Sequence, residues 1–278
     1  MNSSSRTGIE RLALALAHGV RMELYLTPKP GLVDLADNGS HPDLSVPIME
    51  RSIGIVEDYL GEIVASLRLD EPFPQQQAIA QRTEHRLHDE LGTNTHKGYL
   101  FLSGMLLIAR HRAGRDDEAA VRQSLSTLCK DFFMGAGEGN THGARARQRF
   151  QVGGIVREAV AGYPSLFEAA LPVFRTTLAR YGSLKTASLA MMARLMQVVD
   201  DTTTLHRGGA EGMERVRRDG WRLERTIGDG DDFMSYLDEL NRDYKALNLT
   251  IGGVADLLGI AFAWLLMCGE ITRDADCA

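Results

Sequence analysis

Cysteine is scarce in this sequence, and neither sign of charge dominates it. The 278 residues contain three cysteines, Cys129, Cys268 and Cys277, without a CxxC pair. This excludes a disulfide-rich scaffold and favours a reducing compartment, so we expect structural thiols and a cytoplasmic location. The formal net charge of −6 provides no broad positive field for nucleic acid or an anionic membrane. We therefore expect neither partner, while a homodimer stays open.

Apolar runs long enough to cross a bilayer are also missing, as are the alternating patterns typical of strands. The most apolar stretch, residues 254–269, contains Asp256 and is shorter than the roughly 20 residues that a bilayer requires, so we interpret it as a core helix. Elsewhere apolar residues recur at helical spacing. The spacing predicts helices over 9–26, 48–67, 74–90, 95–112, 115–133, 144–161, 164–180, 183–204, 209–226, 231–246 and 252–269. Residues 1–278 are thus predicted to form a single all-α domain, in which Pro172 kinks or splits its helix.

Five polar joints, each containing glycine, connect the predicted helices. They are TPKPGLVDLADNGSHPDLS (27–45), LGTNTHKG (91–98), NTHGARARQRF (140–150), VVDDTTTLHRGG (198–209) and LNLTIGGVADLL (247–258), called the first to fifth joints below. Each alone could be an ordinary turn, and Thr95 or Thr141 could simply cap a helix. Together, however, they hold half of the eight histidines, namely His41, His96, His142 and His206. Because functional side chains commonly lie in loops, we expect the joints to form an active-site cleft.

Two of the joints carry cations suited to phosphate. In the second joint, Asn94, Thr95, His96 and Lys97 precede or begin an apolar helix, where free N–H groups and the helix dipole favour an anion. In the third joint, Arg145 and Arg149 are four residues apart on one predicted helix face, which suits a phosphate chain. A solvated basic face would explain the two arginines equally well.

Carboxylates are concentrated in two other joints. Asp200 and Asp201 follow an apolar helix, where two acids oppose the helix dipole unless a cation offsets them. Asp34, Asp37 and Asp43 of the first joint could supply further oxygen ligands, and oxygen-rich sites favour Mg²⁺ over zinc. No HExxH, P-loop or GxGxxG pattern occurs. The residues alone therefore predict a helical enzyme acting on a metal-bridged phosphate substrate, with the reaction unspecified.

The ordered joints resemble the triphosphoribosyl-dephospho-coenzyme A synthase family. The similarity rests on TPKPGLVD…NGSHPDL, LGTNTHKG, THGARAR…GYP, DDTTTLHRGG and NLTIGGVADLL, and spans roughly residues 10–268. It implies an Mg²⁺-dependent transferase that moves the 5-triphosphoribosyl group of ATP onto 3′-dephospho-CoA, or a related hydroxyl acceptor, and releases adenine. The chain departs from the family pattern at Leu35, Thr203, Ile251 and Val254, positions near the expected nucleotide, so the departures bear chiefly on the acceptor.

Substitution at an anomeric carbon requires a general base, protonation of the leaving group and electrostatic support. We expect proton transfer or catalysis from the four joint histidines His41, His96, His142 and His206, and from Asp201. Substrate binding is expected from Lys29, Asn94, Thr95, Lys97, Arg145, Arg149, Arg207, Gly208, Gly209, Gly252, Gly253 and Asp256. Metal binding is expected from Asp34, Asp43, Asp200 and Asp201.

Two other functions stay open at this point. A helical metal-dependent hydrolase of nucleotides or ADP-ribosyl groups would use the same acids and histidines but would pass the ribosyl group to water. A non-catalytic nucleotide-binding paralogue would bind ATP without turnover. The sequence does not determine which histidine acts as the base.

Overall fold

The fold is helical throughout its described residues. A computed structural model describes residues 8–93, 95–135 and 154–272, and these ranges contain eleven α-helices and no strand. The helices are α1 (Gly8–Tyr25), α2 (Val46–Arg68), α3 (Phe73–Leu91), α4 (Lys97–Ala113), α5 (Glu118–Gly135), α6 (Gly154–Val160), α7 (Leu171–Tyr181), α8 (Leu184–Val198), α9 (Thr202–Asp229), α10 (Phe233–Ala246) and α11 (Gly252–Met267). The predicted all-α class is thereby confirmed.

The apolar helix α11 lies at the centre of the core. Every residue from Leu257 to Leu265 is buried, and the helix packs along α1 and against α4, α8 and α9. Buried apolar side chains from Ile9 to Ile271 form one cluster around it. Across the described ranges, no helix has both the length and the apolarity needed to cross a membrane. The expectation of a core helix at this position is confirmed.

The boundaries of the helices around the fourth joint differ from those predicted. α8 ends at Val198, and α9 begins at Thr202 and continues to Asp229. The three threonines thus start a helix instead of ending one, because the Asp201 side chain accepts the N–H groups of the first turn as an N-cap. The sequence predicted a new helix from residue 209, and α9 is interrupted at that residue, because the φ of 64° and ψ of −160° at Gly209 are not helical.

The segment around Pro172 is divided, as predicted. A π-helical stretch, Ser165–Ala170, leads directly into α7, and Pro172 lies in the first turn of α7. The helical backbone continues through this junction, so the wider π-helical turn stands where Pro172 has no N–H to give to the helix. Of the predicted helix 144–161, the structure describes only Gly154–Val160.

Candidate active site

Three of the polar joints are connected by hydrogen bonds. His41 Nε2 lies 2.8 Å from Thr250 Oγ1, joining the first joint to the fifth. Arg207 Nη1 donates to the carbonyl oxygen of Ser40 at 2.7 Å, joining the fourth to the first. Val254 N donates to Asp201 Oδ2 at 3.1 Å, joining the fifth to the fourth. Segments distant in sequence therefore meet beside α11.

The second joint borders the same region. Thr93 Oγ1 donates to Asp43 Oδ2 at 3.2 Å, and the backbone N–H of Tyr99 lies close enough to the Asp256 carboxyl group to lower its pKa. Gly98 also faces Asp256, since a Cβ built on it would stand 2.9 Å from Asp256 Cγ. Asn94 and the third joint, with His142, Arg145 and Arg149, lie outside the described residues. The enclosing cleft stays a prediction.

Asp201 is a shared N-terminal cap for two helices. Its Oδ1 accepts the N–H groups of Thr203 at 2.8 Å and Thr204 at 3.1 Å, at the start of α9. Its Oδ2 accepts the N–H of Val254 at the start of α11. Burial raises the pKa of Asp201, although these backbone N–H groups and that of Gly253 act to lower it. The helix dipoles thus favour this carboxylate, which corrects the prediction that it needs a metal to offset the end of α8.

Asp256 has a different environment, although it lies in the same region. It is partly buried in the first turns of α11, and Tyr99 N–H is the backbone donor that supports its ionised form. Burial raises the pKa of Asp256 well above its ordinary value, and the charges of Asp201 and Glu23 raise it further. The protonated carboxyl is therefore favoured at this position.

Lys29 does not have the phosphate-binding environment that the sequence predicted. Its side chain is fully buried, and its ammonium group donates to Glu23 Oε1 at 2.6 Å. The same group also donates to the main-chain carbonyl oxygens of Glu23 and, at 3.4 Å, of Leu24. Its three hydrogens thus have acceptors within the protein. Lys29 fixes the start of the first joint onto the end of α1.

The four predicted metal ligands do not form one site. Asp34 accepts backbone N–H groups from Lys29 at 2.7 Å and Ala36 at 2.8 Å, so it organises the first joint. Asp43 is exposed, and Asp200 pairs with Arg217 at 2.7 Å. Asp201 is occupied by helix capping. Among the described residues, no group of three or more histidine, cysteine, aspartate or glutamate side chains is placed to hold a metal ion. These four residues therefore do not form a closed protein site, and a metal role for any one of them stays a prediction.

The three joint histidines that the structure describes occupy different environments. His41 has partners at both ring nitrogens, Thr250 at 2.8 Å and Arg207 at 3.3 Å, while burial and the Arg207 charge lower its pKa to about 4. His96 lies next to Ser52, whose Oγ is 2.7 Å from Nδ1, and its buried Nε2 has no hydrogen-bond partner. Burial and the charge of Lys29 lower the pKa of His96 to about 4. His206 is exposed on α9.

The remaining predicted binding residues lie at the ends of helices. Lys97 begins α4 as expected, but its ammonium group pairs with Glu84 of α3 at 2.7 Å. Arg207 is partly buried and also donates to Asn248 Oδ1 at 3.1 Å. Thr95 caps no helix, since its Oγ1 bonds to Ser52 Oγ at 2.6 Å. A contact between these residues and phosphate stays a prediction.

The predicted glycines pack differently from one another. A Cβ on Gly252 would stand 3.2 Å from Thr203 Oγ1, and one on Gly253 would stand 3.1 Å from Asp201 Oδ2. Gly208 packs against Leu249, whereas Gly209 has no such neighbour within 4 Å. The fifth joint thus approaches the fourth closely through its two glycines.

Comparison with known proteins places the whole helical region in one enzyme family. A model of the CitG family, described as ATP:dephospho-CoA triphosphoribosyl transferase, matches residues 9–272. The chain belongs to this family. A protein of Pectobacterium carotovorum subsp. carotovorum (strain PC1), named probable 2-(5″-triphosphoribosyl)-3′-dephosphocoenzyme-A synthase, is 32% identical over 90% of this chain and 86% of its own. A protein of Pseudomonas aeruginosa (strain UCBPP-PA14), also named as a probable synthase of this kind, is 33% identical over 85% of this chain and 83% of its own. The synthase of this name from Klebsiella pneumoniae is 27% identical over 92% of this chain and 90% of its own. No solved structure matches the chain.

Sequence patterns missed several polar residues of this CitG-family site. Glu23 and Ser52 are buried on α1 and α2, where they occupy positions of otherwise apolar stripes. A polar residue on such a stripe is a signal, because a buried polar group requires a partner. Thr250 is also fully buried, and its hydroxyl group forms a hydrogen bond with the His41 ring. Gly98 gave no signal beyond its place at the end of the second joint.

Proposed function

We propose that the protein transfers the 5-triphosphoribosyl group of ATP to 3′-dephospho-CoA, or to a related hydroxyl acceptor, with release of adenine. Membership of the transferase family over residues 9–272 supports this reaction. The observation that carries it at the level of residues is the meeting of four family-like joints around Asp201 and Asp256. These two carboxyl groups lie in one region but have unequal hydrogen bonding. Substitution at an anomeric carbon uses two such groups, one as a protonated acid and one as an ionised carboxylate that stabilises positive charge.

The acceptor must lose a proton as its oxygen bonds to the anomeric carbon. His96 has an unpartnered Nε2, whereas both ring nitrogens of His41 already have partners. We therefore favour His96 over His41 for contact with a substrate hydroxyl. In this arrangement His41 holds the first, fourth and fifth joints together.

Magnesium ligands are expected from the phosphate chain of ATP. Because the predicted aspartates do not form a cluster, we propose that Mg²⁺ enters as the complex with ATP and is bound chiefly by phosphate oxygens and water. Lys97 and Arg207, with Arg145 and Arg149 of the third joint, are the proposed cationic partners of the phosphates. A cytoplasmic location is part of the proposal, supported by the free thiols of Cys129 and Cys268.

The departures from the family pattern bear on the competing functions. Ile251 and Val254 are both buried, with exposed fractions of 0% and 1%, so these changes affect core packing more than a polar nucleotide contact. This favours a working enzyme over a non-catalytic paralogue. Family membership likewise makes hydrolysis the less favoured reaction.

The decisive experiment incubates the protein with ATP, Mg²⁺ and 3′-dephospho-CoA, and follows adenine by chromatography and the coupled product by mass spectrometry. The proposal expects both products in equal amounts, and neither when the acceptor is omitted. Adenine release without an acceptor would instead identify a hydrolase. Tight ATP binding without any adenine, across a panel of nucleotide hydroxyl acceptors, would identify a binding protein.

A further inference from the structure

The joints and the end of α1 contain six acidic side chains that are wholly or partly buried, and one of them lacks compensation. Asp37 pairs with Lys245, and Asp200 pairs with Arg217. Glu23 is paired with Lys29, while Asp34 and Asp201 each accept three backbone N–H groups. Among the described residues, Asp256 has only the nearby backbone N–H of Tyr99 to favour its ionised form. An ionised carboxylate needs such donors or a cation when it leaves water. Of these carboxyl groups, Asp256 is therefore the one for which the fold most favours the protonated form, and burial raises its pKa well above the ordinary value.

Asp256 is also the more accessible of the two joint carboxyl groups near α11. It is partly exposed, whereas Asp201 is 1% exposed and has its oxygens occupied by the ends of two helices. A protonated Asp256 would present an O–H donor from the first turns of α11, at the meeting point of the joints.

Gly98 makes room for this arrangement. A Cβ at Gly98 would stand 2.9 Å from Asp256 Cγ and closer still to Oδ2, so any larger residue would push the carboxyl group away from the first turn of α4. Gly98 is not at a positive φ, so its backbone does not itself require glycine. The close approach of the carboxyl group is what requires it.

We propose that Asp256 is the general acid that protonates the leaving adenine, and that Gly98 is the positioning residue that allows it. The inference rests on the proposed transferase function. As the acceptor oxygen bonds to the anomeric carbon, the bond from that carbon to adenine breaks and its electron pair stays on adenine. Asp256 gives its proton to a ring nitrogen of adenine. The proton that the general base takes from the acceptor hydroxyl restores the Asp256 carboxyl group after release, so no further reactant is needed.

The test compares two leaving groups. Adenine needs a proton to leave well, whereas nicotinamide leaves a ribosyl triphosphate as a neutral molecule without one. Asp256→Asn should lower kcat for adenine release from ATP by about 10²–10⁴-fold and should change nicotinamide release only a few-fold. Gly98→Ala should show the same pattern in weaker form. Gly61→Ala is the matched control, because no atom lies within 4 Å of a Cβ built there.

The pH profile provides a second measurement. With ATP, kcat of the wild type should fall as pH rises through the pKa of Asp256, and this limb should be absent from the nicotinamide reaction. Equal losses for both substrates in Asp256→Asn would show a structural role and overturn the inference, as would an unchanged rate with ATP. If the wild type rejects the nicotinamide substrate, a kcat for ATP that does not fall on the alkaline side overturns it. Failure of the wild type to release either base would refute the proposed function itself.

Discussion

Replacing Asp201 should destabilise the protein far more than replacing an ordinary helix cap. In Asp201→Ala, the first turn of α9 loses the acceptor for two N–H groups, a loss of about 1 kcal/mol in the free energy of unfolding. The buried N–H of Val254 also loses its acceptor, which costs about 1–3 kcal/mol more. We therefore expect a total loss of about 3 kcal/mol, or roughly 6–12 °C in Tm for a chain of this size.

The matched control is Ser183→Ala. Ser183 caps α8 alone, through a 3.2 Å hydrogen bond to its side chain from Thr186 N, so its removal should cost about 1 kcal/mol. The loss of stability in Asp201→Asn should lie between the losses in Asp201→Ala and Ser183→Ala. Its amide oxygen can still accept from α9, but its NH₂ group would face the N–H of Val254, while the loss of charge removes part of the desolvation penalty.

Thermal and urea unfolding, followed by circular dichroism, measure the three variants under the same conditions. If Asp201 acted only as a metal ligand, Asp201→Asn would keep wild-type stability without metal and would lose the stabilisation that Mg²⁺ provides. That result, or equal losses in Asp201→Ala and Ser183→Ala, would refute the role of Asp201 as a cap shared by two helices.

Three further predictions concern buried and surface charges. Because folding raises the pKa of Asp256, the folded state binds the extra proton. The stability of the wild type relative to Asp256→Asn should therefore decline in urea titrations as pH rises above about 4, and a pH-independent difference would contradict this. Lys29→Met should cost about 3–5 kcal/mol by leaving Glu23 buried without its partner, and adding Glu23→Gln should recover much of the loss, unless the pair is not coupled. In calorimetric titrations, Lys97→Ala should lower the affinity for ATP about tenfold or more and the affinity for adenosine hardly at all. Glu84→Gln, which frees Lys97 from its ion pair, should not lower the affinity for ATP. Equal losses of affinity for both ligands in Lys97→Ala would count against a phosphate contact.

The sequence by itself determined the helical class, the central position of the last apolar helix and the membership of a transferase family. Helical periodicity depends on residues three and four positions apart, so it can be recognised without tertiary information. The family motifs are likewise continuous segments. The sequence pattern did not locate the helix boundaries at the fourth joint, because the apolar pattern of 183–204 runs through Asp201. Only the capping of Thr203 and Thr204 by Asp201 shows where one helix ends and the next begins.

Tertiary structure alone decided what the polar residues do. The N–H that completes the cap at Asp201 comes from Val254, 53 positions along the chain, and the surface against which Asp256 packs is built by Gly98 and Tyr99. Lys29 looked suited to phosphate, yet packing buries it against Glu23. The role of a charged group depends on its desolvation and on its nearest partners, and both are fixed only when distant segments pack together.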